Sequence, residues 1–416
     1  MANEFHDTLE TRDPSEREAS LMSALSRHVA HAKANTAWFA KSMADVDATA
    51  ITSREALATL PVLRKSELLD LQKSAPPLGG VAATDVGKLA HIFMSPGPIY
   101  DPDGHRPDAW RFARAMFAAG LRPGNLVLNC FSYHLTPAGM MSETGAHAIG
   151  CPVIPGGVGN TEMQVRAIAD LKPSFYVGTP SFLKIILEKA RELGEDASSL
   201  KQGLVGGEAL PPSLRAEIAE LGCQVLQCYG TADLGLVAYE APPMQGMILD
   251  EQVIVEIVRP GTGEPVPDGE VGEVVVTVFN PDYPLIRFGT GDMSAIMDGP
   301  SPCGRTNQRI KGWMGRADQT TKVKGMFVHP SMIAEVVKRH PEIGKARLVI
   351  SGRTGNDQMV ISVEAANVSD KPGNELGDAI KATLSAVTKL RGEVTFVEPG
   401  ALPNDGVVIE DARSYD

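Results

Sequence analysis

The sequence predicts an α/β protein. A large N-terminal domain is built on a mostly parallel sheet plus a small antiparallel β unit, and a small α+β C-terminal lid domain follows. Three observations predict this. Between residues 126 and 228, short apolar runs alternate with stretches of helical pattern, which is the rhythm of a parallel sheet covered on both faces. Residues 252–258 and 273–279 instead alternate with period two, split by Pro260-Gly261 and Pro267-Asp268-Gly269, the pattern of antiparallel strands. The chain has 416 residues, more than one hydrophobic core organises. After Gly315 the elements become short and mixed, so the boundary is expected near residues 316–318, giving domains 1–315 and 316–416.

Asp13-Pro14-Ser15-Glu16 opens the first helix with an N-cap acid, Pro at the first helical position and an acid at the third. The stripe Leu21, Leu25, Val29 and Ala32 extends it to about Met43. Short helices are expected at residues 54–59 and 65–71, then a loop at 73–86 containing Pro-Pro and Gly-Gly. Residues 126–131 read as a buried strand, 138–149 as a helix, and 151–154 as a strand ending in Pro155-Gly156-Gly157. Residues 161–171 are helical, 174–177 a strand, and Thr179-Pro180-Ser181 opens another helix. Leu204-Val205, a helix from Pro212 and a strand at 224–228 complete the series. The C-terminal part reads as a helix from Pro330, strands at 347–351 and 360–364, a helix near 374–389 and a strand at 394–397. Ligands of open α/β sheets bind beyond the carboxyl ends of the strands. The loops to watch are therefore 132–137, 155–161, 178–181, 206–211 and 229–233, each rich in Gly, Pro, Ser or Thr.

Composition excludes several classes. The net charge is −12 with no basic block, so nucleic acid is not the expected partner. No apolar stretch approaches the ~20 residues of a membrane span. Residues 1–10 are polar and acidic, without a signal-like apolar core, and cytoplasm is the expected compartment. The five cysteines (Cys130, Cys151, Cys223, Cys228, Cys303) form no C-x-x-C pair and read as reduced core residues. Gly156-Gly157-Val158-Gly159 lacks the spacing of a dinucleotide fingerprint. No G-x-S-x-G elbow is present, and the nine histidines are dispersed.

Taken singly, each loop has a plain structural reading: a turn at Gly156, a strand end at Gly206, a surface ion pair at Arg316 and Asp318. Their order and spacing is more specific. Leu60-Pro61 with Lys65, Val153-Ile154-Pro155, Gly159-Asn160-Thr161-Glu162, Thr179-Pro180-Ser181, Gly206-Gly207-Glu208-Ala209-Leu210, Tyr229-Gly230-Thr231-Ala232-Asp233 and Arg287-Phe288-Gly289-Thr290-Gly291-Asp292 follow in sequence. Pro302-Cys303-Gly304-Arg305-Thr306, Gly315-Arg316-Ala317-Asp318, Lys322-Val323-Lys324-Gly325 and Pro330 complete the set. The chain thereby resembles the adenylate-forming superfamily, and within it the phenylacetate–CoA ligase-like enzymes.

The resemblance implies a two-step reaction. A carboxylate attacks the α-phosphate of ATP, giving acyl-adenylate and pyrophosphate; the lid then rotates and a thiol, usually CoA, displaces AMP. It implies that Asp292 accepts the ribose hydroxyls, as an ionised carboxylate can, with Arg316 adding a donor. Gly206, Gly207 and Glu208 would line the adenine slot, Tyr229 would stack on the ring, and Gly230 and Thr231 would complete that loop. Asp233 would hold Mg2+, which prefers carboxylate and phosphate oxygen. Asp318 would be the hinge, and Gly325 would approach the pantetheine arm. Lys322, Lys324 and Arg305 would meet the CoA phosphates, supplying local positive charge in an acidic protein. His134 is either a loop histidine satisfied by backbone or a residue that orients the acid or gates the thiol. Phe131 and Tyr133 would add aromatic surface to the acid pocket, with Phe175 read as core. The default substrate is an aromatic acid, and the expected assembly is a monomer or homodimer.

Three departures concern phosphate. The phosphate loop of the family is rich in Ser, Thr and Gly, and wraps phosphates through backbone N–H groups. Here the segment is Met94-Ser95-Pro96-Gly97-Pro98-Ile99-Tyr100, in which two prolines remove two donors. Ala232 replaces the threonine expected at the α-phosphate, and Asp233 stands for a glutamate. Val407 follows Leu402-Pro403-Asn404-Asp405-Gly406 where the resemblance implies a lysine; losing one preorganised group of that kind costs roughly a hundred- to a thousand-fold in rate. Two readings stay open: a ligase with a modified ATP site, and a homologue that binds AMP, acyl-adenylate or acyl-CoA without full activity.

Overall fold

The computed structural model describes residues 4–95, 97–259, 263–317, 319, 321–328, 330–353, 356–365, 375–403 and 408–413. The chain divides into two compact units, residues 1–315 and 316–416.

The first unit opens with the helix Pro14–Asn35, capped by Asp13, whose carboxylate accepts from the Ser15 N–H. Leu21, Leu25, Val29 and Ala32 are buried along one stripe. The helix does not run to Met43. It breaks at Thr36, which is extended at φ −130° and ψ 138° and also starts the next helix, Ala37–Ser42. The Thr36 hydroxyl donates to the Ala32 carbonyl at 2.9 Å and accepts from the Phe39 N–H at 3.2 Å. One threonine thus satisfies the last turn of one helix and the first turn of the next, so a break costs little.

Nine strands form the main sheet among the described residues. Five are parallel: Val153–Pro155 at the edge, then Val127–Asn129, Phe175–Gly178, Gln202–Val205 and Gln224–Thr231. Gly235–Tyr239, Met247–Leu249, Arg309–Ile310 and Ile296–Met297 continue it antiparallel. The helices Ala138–Ile149, Thr161–Leu171, Pro180–Leu193 and Pro212–Glu220 connect the parallel strands. From Val127–Asn129 the chain moves outward to Val153–Pro155 and then crosses back to Phe175–Gly178. The order therefore reverses at Val127–Asn129, which places a ligand crevice at its carboxyl end.

The second sheet has the order Leu63–Arg64, Phe288–Ser294, Gly272–Val278 and Val253–Val258. Its period-two pattern does not mark a solvated face, because every residue of Val253–Val258 and Gly272–Val278 is buried. The polar members keep partners instead: Glu256 pairs with Arg287 and Glu273 with Arg64. A separate hairpin pairs His91–Ser95 with Ile99–Asp103, with Ser95 opposite Ile99. The Pro-rich segment read as a loop is thus largely hairpin; Pro96 itself lies outside the described residues.

The second unit has a four-stranded sheet in the order Glu393–Val397, Asn356–Glu364, Ala346–Arg353 and Ile409–Asp411. The helices Pro330–Arg339 and Glu375–Thr388 cover it, and its core gathers Val328, Ile333, Leu348, Ile361 and Leu384. A short hairpin pairs Thr321–Val323 with Met326–Val328. The five cysteines are free and four of them are buried. No helix among the described residues is long and apolar enough to cross a membrane.

Candidate active site

The strand Gln202–Val205 runs directly into Gly206-Gly207-Glu208. The Gly206 N–H donates to the Gly178 carbonyl at 3.2 Å. A side chain at Gly206 would come within 3.0 Å of the Cys228 sulfur and 3.3 Å of its carbonyl oxygen, so the small residue lets two neighbouring strand ends meet. Glu208 is tied on both sides: the Ser181 hydroxyl donates to its carboxylate at 2.5 Å, and the Gln227 side-chain amide donates to its carbonyl at 3.3 Å. The turn is therefore held rigidly beside the next strand.

That strand, Gln224–Thr231, carries Tyr229, Gly230 and Thr231, with a register shift between Tyr229 and Gly230 against Gly235–Tyr239. A side chain at Gly230 would lie 2.6 Å from the Gly235 carbonyl oxygen. The Thr231 hydroxyl accepts from the Leu234 N–H at 3.1 Å. The Tyr229 hydroxyl donates to Asp292 Oδ2 at 2.8 Å and lies 3.3 Å from the Thr290 hydroxyl. Asp292, on the inner strand of the second sheet, also receives the Trp313 indole N–H on Oδ1 at 3.1 Å. Its backbone N–H donates to the Thr290 hydroxyl at 3.0 Å. Two donors from different elements thus fix the plane of one carboxylate.

Asp233 follows on the same segment and is buried, with Lys65 Nζ 2.5 Å from its Oδ2. Burial works against the Lys65 ammonium, but Asp233, Asp101 and Asp292 outweigh it and hold Lys65 above its ordinary range. Asp101 lies close by on the hairpin strand Ile99–Asp103. Burial and the neighbouring Asp233 push its carboxyl well up, offset in part by Lys65.

The loop at the sheet's reversal point carries His134, whose side chain is exposed; its backbone N–H donates to the Ser132 hydroxyl at 3.1 Å. Beside it, the Tyr133 hydroxyl donates to Glu143 at 2.7 Å and accepts from the buried Asn129 amide at 2.7 Å. Burial, reinforced by Glu143, raises the Tyr133 phenol far above its ordinary range. Phe131 is half-buried, and Phe175 belongs to the core. Arg305, expected at CoA phosphates, is only 5% exposed and pairs with the buried Glu10 at 3.0 Å. Its charge is consumed by the N-terminal segment, so that expectation is withdrawn.

In the second unit, Arg316 is the first residue and is half-buried. Lys324 and Gly325 form the two-residue turn of the hairpin, at φ 46° and 84°. Left-handed geometry at both positions is the turn that matches strand twist and explains a glycine at the second. The Lys324 N–H donates to Asp357 at 2.9 Å, and its side chain is exposed. Asp318 and Val407 lie outside the described residues. Trp313, Lys65 as a partner of Asp233, Asp101 and Tyr283 were not singled out as site residues by sequence reasoning. Of these, Lys65 stood out with Leu60-Pro61 in the motif series, and Trp313 as one of three tryptophans, set between Gly312 and Gly315.

Comparison with known proteins bears on this arrangement. The AMP-binding enzyme family matches residues 108–278, and the AMP-binding enzyme C-terminal domain matches residues 325–409. The phenylacetate-coenzyme A ligase of Thermus thermophilus is 30% identical over 353 residues, covering 81% of this chain and 78% of that protein. The chain belongs to the AMP-binding enzymes, on their phenylacetate–CoA ligase-like branch. The phenylacetate-coenzyme A ligase of Aromatoleum evansii is 27% identical over 419 residues, covering 95% and 93% of the two chains. The crystal structure of 2-hydroxyisobutyryl-CoA ligase with 2-HIB-AMP and CoA has the same fold, with a TM-score of 0.85 at 23% identity over 99% of this chain and 93% of that one. Within this AMP-binding enzyme, Lys65 and Asp101 precede the matched family core, which begins at residue 108.

Proposed function

We propose that this AMP-forming acid–CoA ligase activates an aromatic carboxylic acid in the cytoplasm, with adenosine held at Asp292 and the phosphate end of ATP near Lys65 and Asp233. The observation that carries the reading is the doubly fixed Asp292 carboxylate, oriented by Tyr229 and Trp313 beside the strand end that leads from Gly206 to Glu208. Such a carboxylate accepts two adjacent hydroxyls, the pattern a ribose presents. Gly206, Gly207 and Glu208 then border the base, with Gly230 and Thr231 shaping the neighbouring strand.

In the first step a carboxylate oxygen bonds to the α-phosphorus of ATP and pyrophosphate leaves. In the second, the CoA sulfur bonds to the acyl carbon, the thiol proton passes to solvent and AMP leaves. The acid sits at the reversal point of the sheet, near Tyr133 and His134, where Glu143 and Asn129 fix the tyrosine hydroxyl. Lys324 and Gly325 serve the thiol step from the second unit, together with Arg316 and the hinge residue Asp318. Asp233 fits a divalent cation, because one of its oxygens is buried without a partner; Mg2+ bound there neutralises phosphate charge.

The test is pyrophosphate release with a panel of aryl and hydroxy acids, followed by detection of the acyl-CoA. We expect release with an aryl acid, and an increase in the variant Val407→Lys. Clear AMP binding with no release for any acid would overturn catalysis while keeping the nucleotide site. An unchanged rate in Val407→Lys would overturn the reading of a vacant lysine position.

A further inference from the structure

Both oxygens of Asp101, Oδ1 of Asp233 and the hydroxyl of Tyr283 are buried without a well-formed hydrogen bond, and the Asp101 and Asp233 carboxyls lie close enough to share a proton, with Ser95 beside Asp101. Asp101 is 2% exposed and Tyr283 1% exposed. Electrostatic coupling links all three: Asp101 and Asp233 are the charges felt by the Tyr283 phenol, and each acid acts on Lys65. A buried polar atom left unpaired costs about 1–3 kcal/mol, more when charged, so such a concentration is retained where a ligand completes it.

We infer that Asp101 is a second carboxylate for the divalent cation, holding it jointly with Asp233, and that Lys65 is the counter-charge which the ion displaces. The inference rests on the reading of Asp233 given above and extends it to a residue outside the matched family core. Mg2+ is held by one or two carboxylates plus substrate phosphates and water, not by an all-protein cage. Two acids with free oxygens suit that demand, and Tyr283 can anchor a bound water. Lys65 reaches only Oδ2 of Asp233 and leaves Oδ1 available.

The position of Asp101 gives this arrangement a purpose. It stands two residues beyond Ile99, which pairs with Ser95 across the Pro-rich turn. A segment with two prolines and so few N–H groups offers few donors to phosphate. A cation on the strand that follows supplies the missing positive charge at nearly the same place. The Pro-rich phosphate segment and the Asp101 carboxylate then work together.

Direct metal binding tests this on the full-length chain, with Mn2+ alone as the probe and electron paramagnetic resonance as the readout. We expect about one bound Mn2+ per chain, weakened at least about tenfold in Asp101→Asn and in Asp233→Asn. Lys65→Met should bind Mn2+ more tightly, because the competing ammonium is gone. Normal circular dichroism and thermal midpoints of the Asn variants establish that they fold. If Asp233→Asn weakens binding and Asp101→Asn does not, the role of Asp101 is overturned while that of Asp233 stands. If wild type binds no Mn2+, or neither Asn variant changes its binding, both assignments fall. Unchanged or weaker binding in Lys65→Met overturns the displacement of Lys65.

Discussion

Arg287 offers a demanding stability test, because its side chain is 2% exposed and all its bonds are internal. Its Nε donates to Glu256 at 3.0 Å, Nη1 to the carbonyls of Ala58 at 2.8 Å and Leu60 at 2.6 Å, and Nη2 to the Gly263 carbonyl at 2.7 Å. One guanidinium therefore ties the second sheet to the segment before Lys65 and to the turn at Gly263. Replacing it in Arg287→Met keeps apolar volume but strands a buried carboxylate. Breaking one partner of a buried pair costs about 3–5 kcal/mol, and at ~2–4 °C per kcal/mol for a large domain the midpoint should fall by roughly 6–20 °C. Burial already raises the Glu256 carboxyl, and Arg287 partly offsets that rise. Without Arg287 the folded-state value climbs further. A group with a raised folded pKa contributes stability below its ordinary range and loses it as pH rises through the folded value, so the cost should be smaller near pH ~5 than near pH ~8. Urea denaturation at both pH values, followed by tryptophan fluorescence, measures it. A cost below about 1 kcal/mol, in the range of an exposed ion pair, or an equal cost at both pH values, would refute the argument.

Two further outcomes follow from the same geometry. Tyr229→Phe removes a hydrogen bond to the Asp292 carboxylate, worth about 1.5–3 kcal/mol for a charged acceptor; AMP affinity measured by calorimetry should fall about tenfold or more, and an unchanged affinity would detach Asp292 from nucleotide binding. His28 is buried beside Phe279, its Nε2 has no partner, and burial followed by the neighbouring His31 lowers it to about 4. Its contribution is present above its ordinary value and lost as pH falls toward the folded one, so His28→Phe should flatten the acid limb of the stability profile between about pH 6.5 and 4; an acid limb as steep as that of wild type would count against it.

The parallel sheet was legible because its strands are short apolar runs separated by stretches of helical period, and signals of that kind, like helix caps elsewhere in the chain, are local. Asp13 capping Pro14–Asn35 is one such case. The break at Thr36 was not legible, because Leu21 to Ala32 reads as a continuous stripe and a threonine hydroxyl that serves two helices leaves no mark in periodicity. Asp101 was hidden for a different reason. Between Tyr100 and Pro102-Asp103 it reads as part of a solvated turn, and only pairing with His91–Ser95 turns it inward. Glu256 interrupts an apolar run and gave no hint that the buried partner would be Arg287, thirty-one positions away. Arg305 misled in the opposite direction, since its partner Glu10 belongs to the first few residues of the chain. For Glu256 and Arg305 the missing information was a long-range partner.

The two ends of the proposed nucleotide site are built on different physics. At Asp292 a phenol and an indole, both neutral donors, orient the carboxylate. At Asp233 the partner is an ammonium, and a second acid stands beside it. An end that receives neutral hydroxyls needs little added charge, whereas one that must receive several phosphate charges cannot work without compensation. Lys65 supplies a single positive charge beside Asp233 and Asp101, too little to accept several phosphate charges. A divalent ion held by the two acids would reverse that balance and leave Lys65 to face the incoming anion. The site therefore has reason to bind AMP with little metal dependence and ATP with strong metal dependence. A protein whose phosphate loop retained its full set of N–H donors would show a much smaller difference.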